Sequence, residues 1–181
     1  MLKRHSDAAR DLTAWKRHLL STLVFAIGLG LGPVKAQDRY LAVILGSAHI
    51  GVDLNDFNPG LLLGHRWQAP RDGVEYHLEA GIFYNSYEEV APLVMGGVSF
   101  RLAELGSFDL RGGVSAGTGY YGTLAPILER DYGIPNIEGF IPLVAASIAL
   151  RDTQRPVEYR LTALPGDAGV GVVNLSVAFD F

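Results

Sequence analysis

Residues 169–181, "GVGVVNLSVAFDF", decide the fold class of this chain. Along its second half every other residue is apolar, at Val173, Leu175, Val177, Phe179 and Phe181. Small or polar residues stand between them and take the opposite face. A period of two with one wholly apolar face indicates a half-buried β-strand. Such a strand is typical of the last strand of a membrane barrel, although the edge of a soluble β-sandwich shows the same pattern.

The same alternation recurs along the rest of the chain and favours the barrel. It predicts strands over 40–50, 60–68, 74–84, 92–103, 107–117, 139–150, 156–163 and 171–181. Eight is an even number that fits a small closed barrel in a membrane. Closure is required because hydrocarbon offers no hydrogen-bond partner to an unpaired strand edge. We therefore predict an all-β fold, an eight-stranded antiparallel transmembrane β-barrel in the outer membrane.

The amino-terminal segment has the order of a secretory signal. Basic residues come first, the apolar stretch "LLSTLVFAIGLGLG" occupies 19–32, and a small residue, Ala36, follows. The apolar stretch is short for a helix that spans a bilayer. We therefore expect residues 1–36 to be a cleaved signal peptide and residues 37–181 to form the barrel.

Charge and cysteine content exclude several classes of function. Residues 37–181 hold 17 acidic and nine basic residues, and all nine are arginine. An acidic chain without basic runs argues against a nucleic-acid partner. The chain has no cysteine, so a disulfide cannot hold the fold together.

Charged residues alternate with apolar ones in several predicted strands and therefore point into the barrel. Inward positions carry Glu75, Glu79, Arg111, Glu158 and Arg160. We expect these side chains to form an interior polar network, because an unpaired charge inside a barrel is costly.

Other inward positions are apolar, so one half of the lumen differs from the other. Leu93, Met95 and Gly97 point inward from the fourth strand, and Leu143, Ala145 and Ala149 do so from the sixth. A barrel of eight strands can hold one small ligand. The apolar half is either a slot for an acyl chain or ordinary core packing, and composition does not separate the two.

The connections predict which residues share one rim. "QAPRDG", "ELGS" and "RDTQRP" are short turns, whereas the alternate connections are mostly longer. Outer-membrane barrels keep their short turns in the periplasm and their long loops outside. His49, Asn85, Ser86 and Pro165 should then lie together at the outer rim.

These residues resemble the PagP-type lipid A palmitoyltransferases of Gram-negative outer membranes. That family has a His at the end of its first strand and an Asp-Ser pair opening its second outer loop. The matching positions are His49 in "GSAHIG" and Asn85-Ser86 in "FYNSYEEVAP". "NDFNPGLLLG", "GVSAGTG", "GFIPLVAAS" and "LTALPGD" are similar to further short motifs of the family, and together the match covers about residues 40–181.

The resemblance implies a monomeric enzyme that moves a palmitoyl chain from a phospholipid donor to lipid A without metal or cofactor. His49 and Ser86 would be catalytic, with Asn85 beside them. Gly97 would form the floor of an acyl pocket that Met95 and Leu93 line. Pro142 and Pro165 would frame a lateral gate, because proline cannot donate to a strand ladder.

The chain departs from the family in three ways. It lacks the family's amphipathic helix before the first strand and a proline near the middle of that strand. Asn85 replaces an aspartate, and an amide cannot balance an imidazolium as a carboxylate does. Asn85 would instead donate to a developing oxyanion. Asp53, Asp56, Glu88 or Glu89 would then support His49, and the sequence does not choose among them.

Two other functions fit the same residues. A lipid A deacylase would use water in place of the acceptor hydroxyl, but known deacylase barrels place a His two residues before the Ser. Here Ser47 precedes His49, which is the reverse order. A non-catalytic adhesive or structural barrel would not need the apolar inward residues.

Overall fold

In a computed structural model, which describes residues 36–165 and 170–181, eight antiparallel strands close into a barrel. The strands are β1 (Ala36–Ile50), β2 (Gly60–Gln68), β3 (Val74–Tyr84), β4 (Val90–Leu105), β5 (Phe108–Tyr120), β6 (Phe140–Asp152), β7 (Val157–Pro165) and β8 (Gly171–Asp180). Each strand pairs with its neighbours in the chain, and β8 pairs with β1. The eight predicted strands are confirmed, and the expected signal segment falls almost entirely on residues outside the described ranges.

One helix lies in the long outer connection between β5 and β6. A 3-10 turn, Gly122–Leu124, leads into helix α1 (Ala125–Tyr132), which ends at Gly133 in the left-handed conformation. The sequence analysis missed this helix because two turns are too short to show a helical period. No helix in the described part of the chain is both long and apolar enough to cross a membrane.

The outer wall of the barrel is apolar, as a hydrocarbon environment requires. Large side chains on this wall are exposed along every strand, for example Leu63, Leu78, Val94, Val144 and Leu161. Residues between them point inward and are more buried. The face assignments predicted for β3, β4 and β7 agree with this alternation.

The periplasmic half of the lumen is filled by ion pairs. Glu158 lies at its centre and pairs with Arg151 at 2.7 Å, Arg160 at 2.8 Å and Arg66 at 3.3 Å. Glu75 pairs with Arg111 and Arg151, Glu79 pairs with Arg160, and Arg66 also contacts Asp180. Four guanidinium groups thus meet four carboxylates, which satisfies the charges without bulk water.

Tyr40 forms the boundary above these ion pairs. Its side chain is fully buried, and its hydroxyl donates to Glu79 Oε2 at 2.9 Å. The Arg66 guanidinium stacks over its ring, 4.0 Å from the ring centre. The ring lies flat against Gly64, where a Cβ would overlap it. Glycine at this position therefore lets an aromatic ring cross the lumen.

Glu158→Gln should destabilise the barrel strongly, because the substitution keeps the shape but removes the charge that three arginines share. We expect a loss of about 3–5 kcal/mol in the free energy of unfolding. Urea unfolding of the protein in lipid vesicles would measure it.

Glu104→Gln is the matched control. Glu104 is 69 % exposed and pairs only with Arg101 in the described residues, so its loss should cost less than about 1 kcal/mol. Equal effects of the two substitutions would show that the buried network does not hold the barrel together.

Candidate active site

Three side chains meet in a hydrogen-bonded row at the outer mouth of the barrel. His49 Nε2 lies 2.7 Å from Ser86 Oγ, and His49 Nδ1 lies 2.7 Å from Asp56 Oδ1. The His49 side chain is 2 % exposed, whereas the Asp56 side chain is 63 % exposed. The row therefore runs from the loop surface, through a buried imidazole, to the hydroxyl.

The loop after β1 brings Asp56 to His49 by folding back along the strand. Asp56 carbonyl oxygen accepts the backbone N–H of Ser47 at 2.9 Å and that of Asn58 at 3.1 Å. Asn55 Oδ1 accepts the Phe57 N–H, which tightens the turn, and Ser47 contacts the Asn58 side chain. The local turn chemistry of Asn and Asp residues thus sets the position of the carboxylate.

Asn85 shapes the turn that presents Ser86. Its Oδ1 accepts the backbone N–H groups of Tyr87 at 2.9 Å and Glu89 at 3.0 Å. Its backbone N–H donates to Glu89, whose neighbour Glu88 takes a positive φ of 66°. Asn85 is 1 % exposed, and its Nδ2 has no hydrogen-bond partner among the described residues. The amide therefore holds the turn through its oxygen, and its buried Nδ2 is unpaired among the described residues.

The structure selects among the four carboxylates that the sequence left open. Asp56 contacts His49, whereas no contact joins Asp53, Glu88 or Glu89 to that imidazole in the described part of the chain. A carboxylate, an imidazole and a hydroxyl in this order form the nucleophile-activating arrangement that recurs on unrelated folds.

A cavity of about 210 Å³ opens beside this row. His49 and Ser86 line it together with side chains that are mostly apolar: Val52, Leu54, Leu128, Ile134, Ile141, Leu143, Val144, Leu164, Val170 and Val172. Pro142 and Pro165 line it as well. An apolar pocket with a few convergent polar groups is the usual form of a ligand site.

Pro142 and Pro165 stand where the barrel wall is open. The pairing of β6 with β7 runs from Arg151 and Glu158 only up to Ala146 and Ala163. Above that pair, residues 140–145 of β6 and 164–165 of β7 have no partner in each other among the described residues. Proline lacks an N–H, so it reduces the number of unpaired donors that such a gap exposes. The cavity thereby reaches the lipid-facing surface.

Helix α1 lies over the mouth and packs through apolar and aromatic side chains. Ala125 and Leu128 are buried against Ile141, and Tyr87, Tyr121 and Tyr132 pack around them. Burial raises the pKa of Tyr121 to about 12, and burial with a hydrogen bond to Tyr132 raises the pKa of Tyr87 to about 12. Both phenols therefore stay protonated at physiological pH.

A second cavity of about 60 Å³ lies inside the barrel below the mouth. Leu93, Met95, Leu143, Ala145 and Leu164 form its apolar wall, while His77, Glu79 and Arg160 border it on the charged side. Five uncharged polar residues line it as well, at Ser115, Ser147, Thr162, Asn174 and Ser176. The cavity wall is therefore part apolar and part polar, with the charged groups on its periplasmic side.

Gly97 is placed differently from Met95 and Leu93. It does not line either cavity. An added Cβ would overlap the Val114 carbonyl oxygen and would be 2.7 Å from two atoms of the His77 ring. Gly97 thus leaves space for the His77 imidazole, which borders the second cavity.

Most of the sequence-predicted site residues fall into two groups in the structure, and Gly97 belongs to neither. His49, Ser86, Pro142 and Pro165 line the mouth cavity, with Asn85 in the turn beside Ser86, whereas Leu93 and Met95 line the deeper one. The sequence analysis missed His77 as a boundary of the slot and missed the tyrosines of the mouth. Among the described residues no group of three or more His, Asp or Glu side chains is arranged to hold a metal ion.

Comparisons with known proteins support the fold and go no further. No protein-family model and no curated protein matches the chain. A designed transmembrane β-barrel is similar, with a TM-score of 0.52 and 17 % identity over 81 % of this chain and 98 % of the design. The crystal structure of Ail, the attachment invasion locus protein of Yersinia pestis, has a TM-score of 0.45 and 16 % identity over 81 % of this chain and all of Ail.

The closed sheet, its apolar outer wall and the likeness to a transmembrane barrel make this chain an eight-stranded antiparallel barrel of the outer membrane. The predicted fold class is confirmed.

Gly97→Ala should destabilise the barrel by about 1–3 kcal/mol, because the added methyl group would overlap both the Val114 carbonyl oxygen and the His77 ring. The neighbouring Gly96→Ala is the control, since its Cβ would meet the nearest atoms at 3.7 Å and should change stability by less than about 0.5 kcal/mol. Urea unfolding in lipid vesicles would compare them. Equal stability of the two variants would contradict the close packing of His77 on Gly97.

Proposed function

We propose that this barrel is a serine-dependent acyltransferase that moves an acyl chain, palmitoyl in the family it resembles, from a glycerophospholipid to lipid A. The observation that carries the proposal is the row Asp56–His49–Ser86 at the mouth of an apolar cavity that opens sideways toward lipid. Ester transfer to a hydroxyl needs an activated nucleophile and a place for the chain, and it needs no added cofactor.

The geometry supports a two-step reaction on Ser86. With the Nδ1 proton of His49 donated to Asp56, Nε2 accepts the proton of Ser86 as Oγ attacks the ester carbonyl of the donor. The tetrahedral intermediate then collapses, and the imidazolium returns the proton to the departing glycerol oxygen. This step releases a lysophospholipid and leaves the acyl group on Ser86.

The second step reverses the first with a new hydroxyl. A hydroxyl of lipid A gives its proton to His49 and attacks the acyl-enzyme, and the imidazolium then protonates Ser86 Oγ. Asp56 stabilises the imidazolium in both steps. The Asn85 amide, whose Nδ2 is unpartnered among the described residues, is the donor we assign to the oxyanion.

The opening between β6 and β7 supports a membrane lipid as the acyl donor. A phospholipid chain can enter the cavity through the gap beside Pro142 and Pro165 without leaving the hydrocarbon layer. Leu93, Met95, Leu143 and Ala145 then offer it an apolar wall inside the barrel. The charged groups below would stop the chain, because separating Glu79 from Arg160 would leave buried charges unpaired.

A lipid A deacylase is the second candidate, and the exposure of Asp56 favours it. The carboxylate is 63 % exposed, so water reaches the outer end of the row. Mass spectrometry of lipid A separates the two activities, since transfer adds one acyl chain and hydrolysis removes one.

Ser86→Ala and Asp56→Asn should lower acyl transfer to different extents. Ser86→Ala removes the nucleophile and should abolish transfer within detection. Asp56→Asn keeps the shape but not the charge, and should lower kcat by about tenfold to a hundredfold because the carboxylate is partly screened by water. Lipid A mass spectrometry with radiolabelled phospholipid donors would measure both.

Asp53→Asn is the matched control, because Asp53 is an exposed residue of the same loop without a contact to His49. Its activity should equal that of the unaltered protein. If folded Ser86→Ala modifies lipid A as well as the unaltered barrel does, the protein is not an acyltransferase of this type, and an adhesive or structural barrel takes its place.

Closing the gap should block the donor. The double variant Val144→Cys with Pro165→Cys introduces two thiols. These positions would face each other if the β6–β7 ladder continued two residues beyond the Ala146–Ala163 pair. Oxidation should stop acyl transfer and reduction should restore it. The chain has no native cysteine, so no other disulfide can form within it.

The control pair, Ile148→Cys with Leu161→Cys, joins residues that are already partners in the ladder. Its oxidation should leave transfer unchanged. Full activity of the oxidised upper pair would show that lipids enter elsewhere.

A further inference from the structure

The lipid-facing wall of the barrel carries a pair of basic side chains near its periplasmic end. Among the outward positions of the described strands, arginine or histidine occurs at Arg39 of β1 and His65 of β2. These two residues are direct partners in the β1–β2 ladder. Cross-strand partners have their Cβ atoms about 4.5–5.5 Å apart on the same face, so the two basic groups are neighbours.

The described side chains do not balance this pair. Neither Arg39 nor His65 forms a hydrogen bond or ion pair with another side chain in the described part of the chain, and the Asp180 carboxylate of β8 is engaged inside the barrel by Arg66. Polar or charged groups on a lipid-facing surface are costly and usually mark a functional site. An anion beside the Arg39 guanidinium would remove this cost.

The level of the pair matches that of lipid headgroups. His65 lies three residues before the end of β2 at Gln68, about 8 Å from the turn at the rise and tilt of a barrel strand. The backbone N–H of Phe181, the last residue of the chain, donates to the carbonyl oxygen of Arg39. Aromatic side chains mark the same level, since the Trp67 ring packs edge-on against His65 with centres 4.6 Å apart. Tryptophan concentrates at the boundary between hydrocarbon and headgroups.

We propose that Arg39 and His65 bind the headgroup phosphate of an anionic phospholipid in the periplasmic leaflet. The guanidinium supplies two parallel donors that suit phosphate oxygens, and the imidazole adds a third from the neighbouring strand. Trp67 holds the imidazole in place and lies against the glycerol region of the lipid. The acyl chains lie on the apolar wall above, at Leu41, Leu63 and Leu78. Basic pockets on membrane proteins bind anionic headgroups in this way.

This site is independent of the proposed acyl transfer, because it lies on the outside of the barrel and at the opposite end from Ser86. Its occupant is a lipid bound on the outer wall across β1 and β2. Loss of the site should therefore leave lipid A modification unchanged and weaken lipid retention.

Native mass spectrometry of the delipidated barrel, titrated with phosphatidylglycerol, tests the proposal. Arg39→Gln with His65→Gln should weaken binding of the first lipid by about tenfold, the scale of a lost charge-assisted hydrogen bond. Arg155→Gln is the control, since it removes a cation from a turn at the same end of the barrel, and its affinity should equal that of the unaltered protein. Unfolding in urea would verify that all variants are folded.

Further titrations separate the sources of the phosphate. Phosphatidylethanolamine should bind more weakly than phosphatidylglycerol, because its ammonium group offsets the phosphate charge that Arg39 binds. Inorganic phosphate should not compete, because the apolar wall holds the acyl chains, and purified lipid A should not depend on Arg39 or His65. Equal affinity of the double variant and the unaltered barrel for phosphatidylglycerol would overturn the proposal, as would an equal loss in Arg155→Gln.

Discussion

Hydrocarbon cannot accept or donate a hydrogen bond, and this constraint organises the whole molecule. The sheet must close on itself, so β8 pairs with β1 and each backbone ladder finds its partner. The requirement is relaxed between the upper parts of β6 and β7, where two prolines stand without N–H donors to satisfy. An opening in the wall of a membrane barrel is therefore tolerated where prolines reduce the number of unpaired backbone N–H groups. The candidate site lies beside that opening.

The charged side chains are confined to one half of the lumen for a similar reason. Carboxylates and guanidinium groups inside a barrel need one another, and they gather in the periplasmic half, where Glu158 joins three arginines. Tyr40 and His77 border this charged half. Apolar side chains gather in the outer half, and a row that contains an exposed carboxylate, a buried imidazole and a hydroxyl lies at its mouth.

Loops supply the parts of the site that strands cannot. Asp56 reaches His49 because the first outer loop turns back on β1, and Ser86 is presented by a turn whose oxygen cap is Asn85. Asn85 stands where the resembled family has an aspartate. In this chain the carboxylate that contacts His49 comes from another loop, at Asp56. Asn85 accepts backbone N–H groups of the turn, and Asp56 is the carboxylate that contacts His49.

By itself, the sequence determined the eight strands, their faces and the meeting of His49, Ser86 and Pro165 at one rim. The alternation of apolar and polar residues shows which face of a strand each residue takes. The alternation of short and long loops shows which strand ends lie on the same side of the membrane. Tertiary structure alone decided that Asp56 supports His49, that a short helix covers the mouth and that His77 lies on Gly97. These depend on loop paths and on contacts between strands distant in the chain, and neither leaves a periodic signal along it.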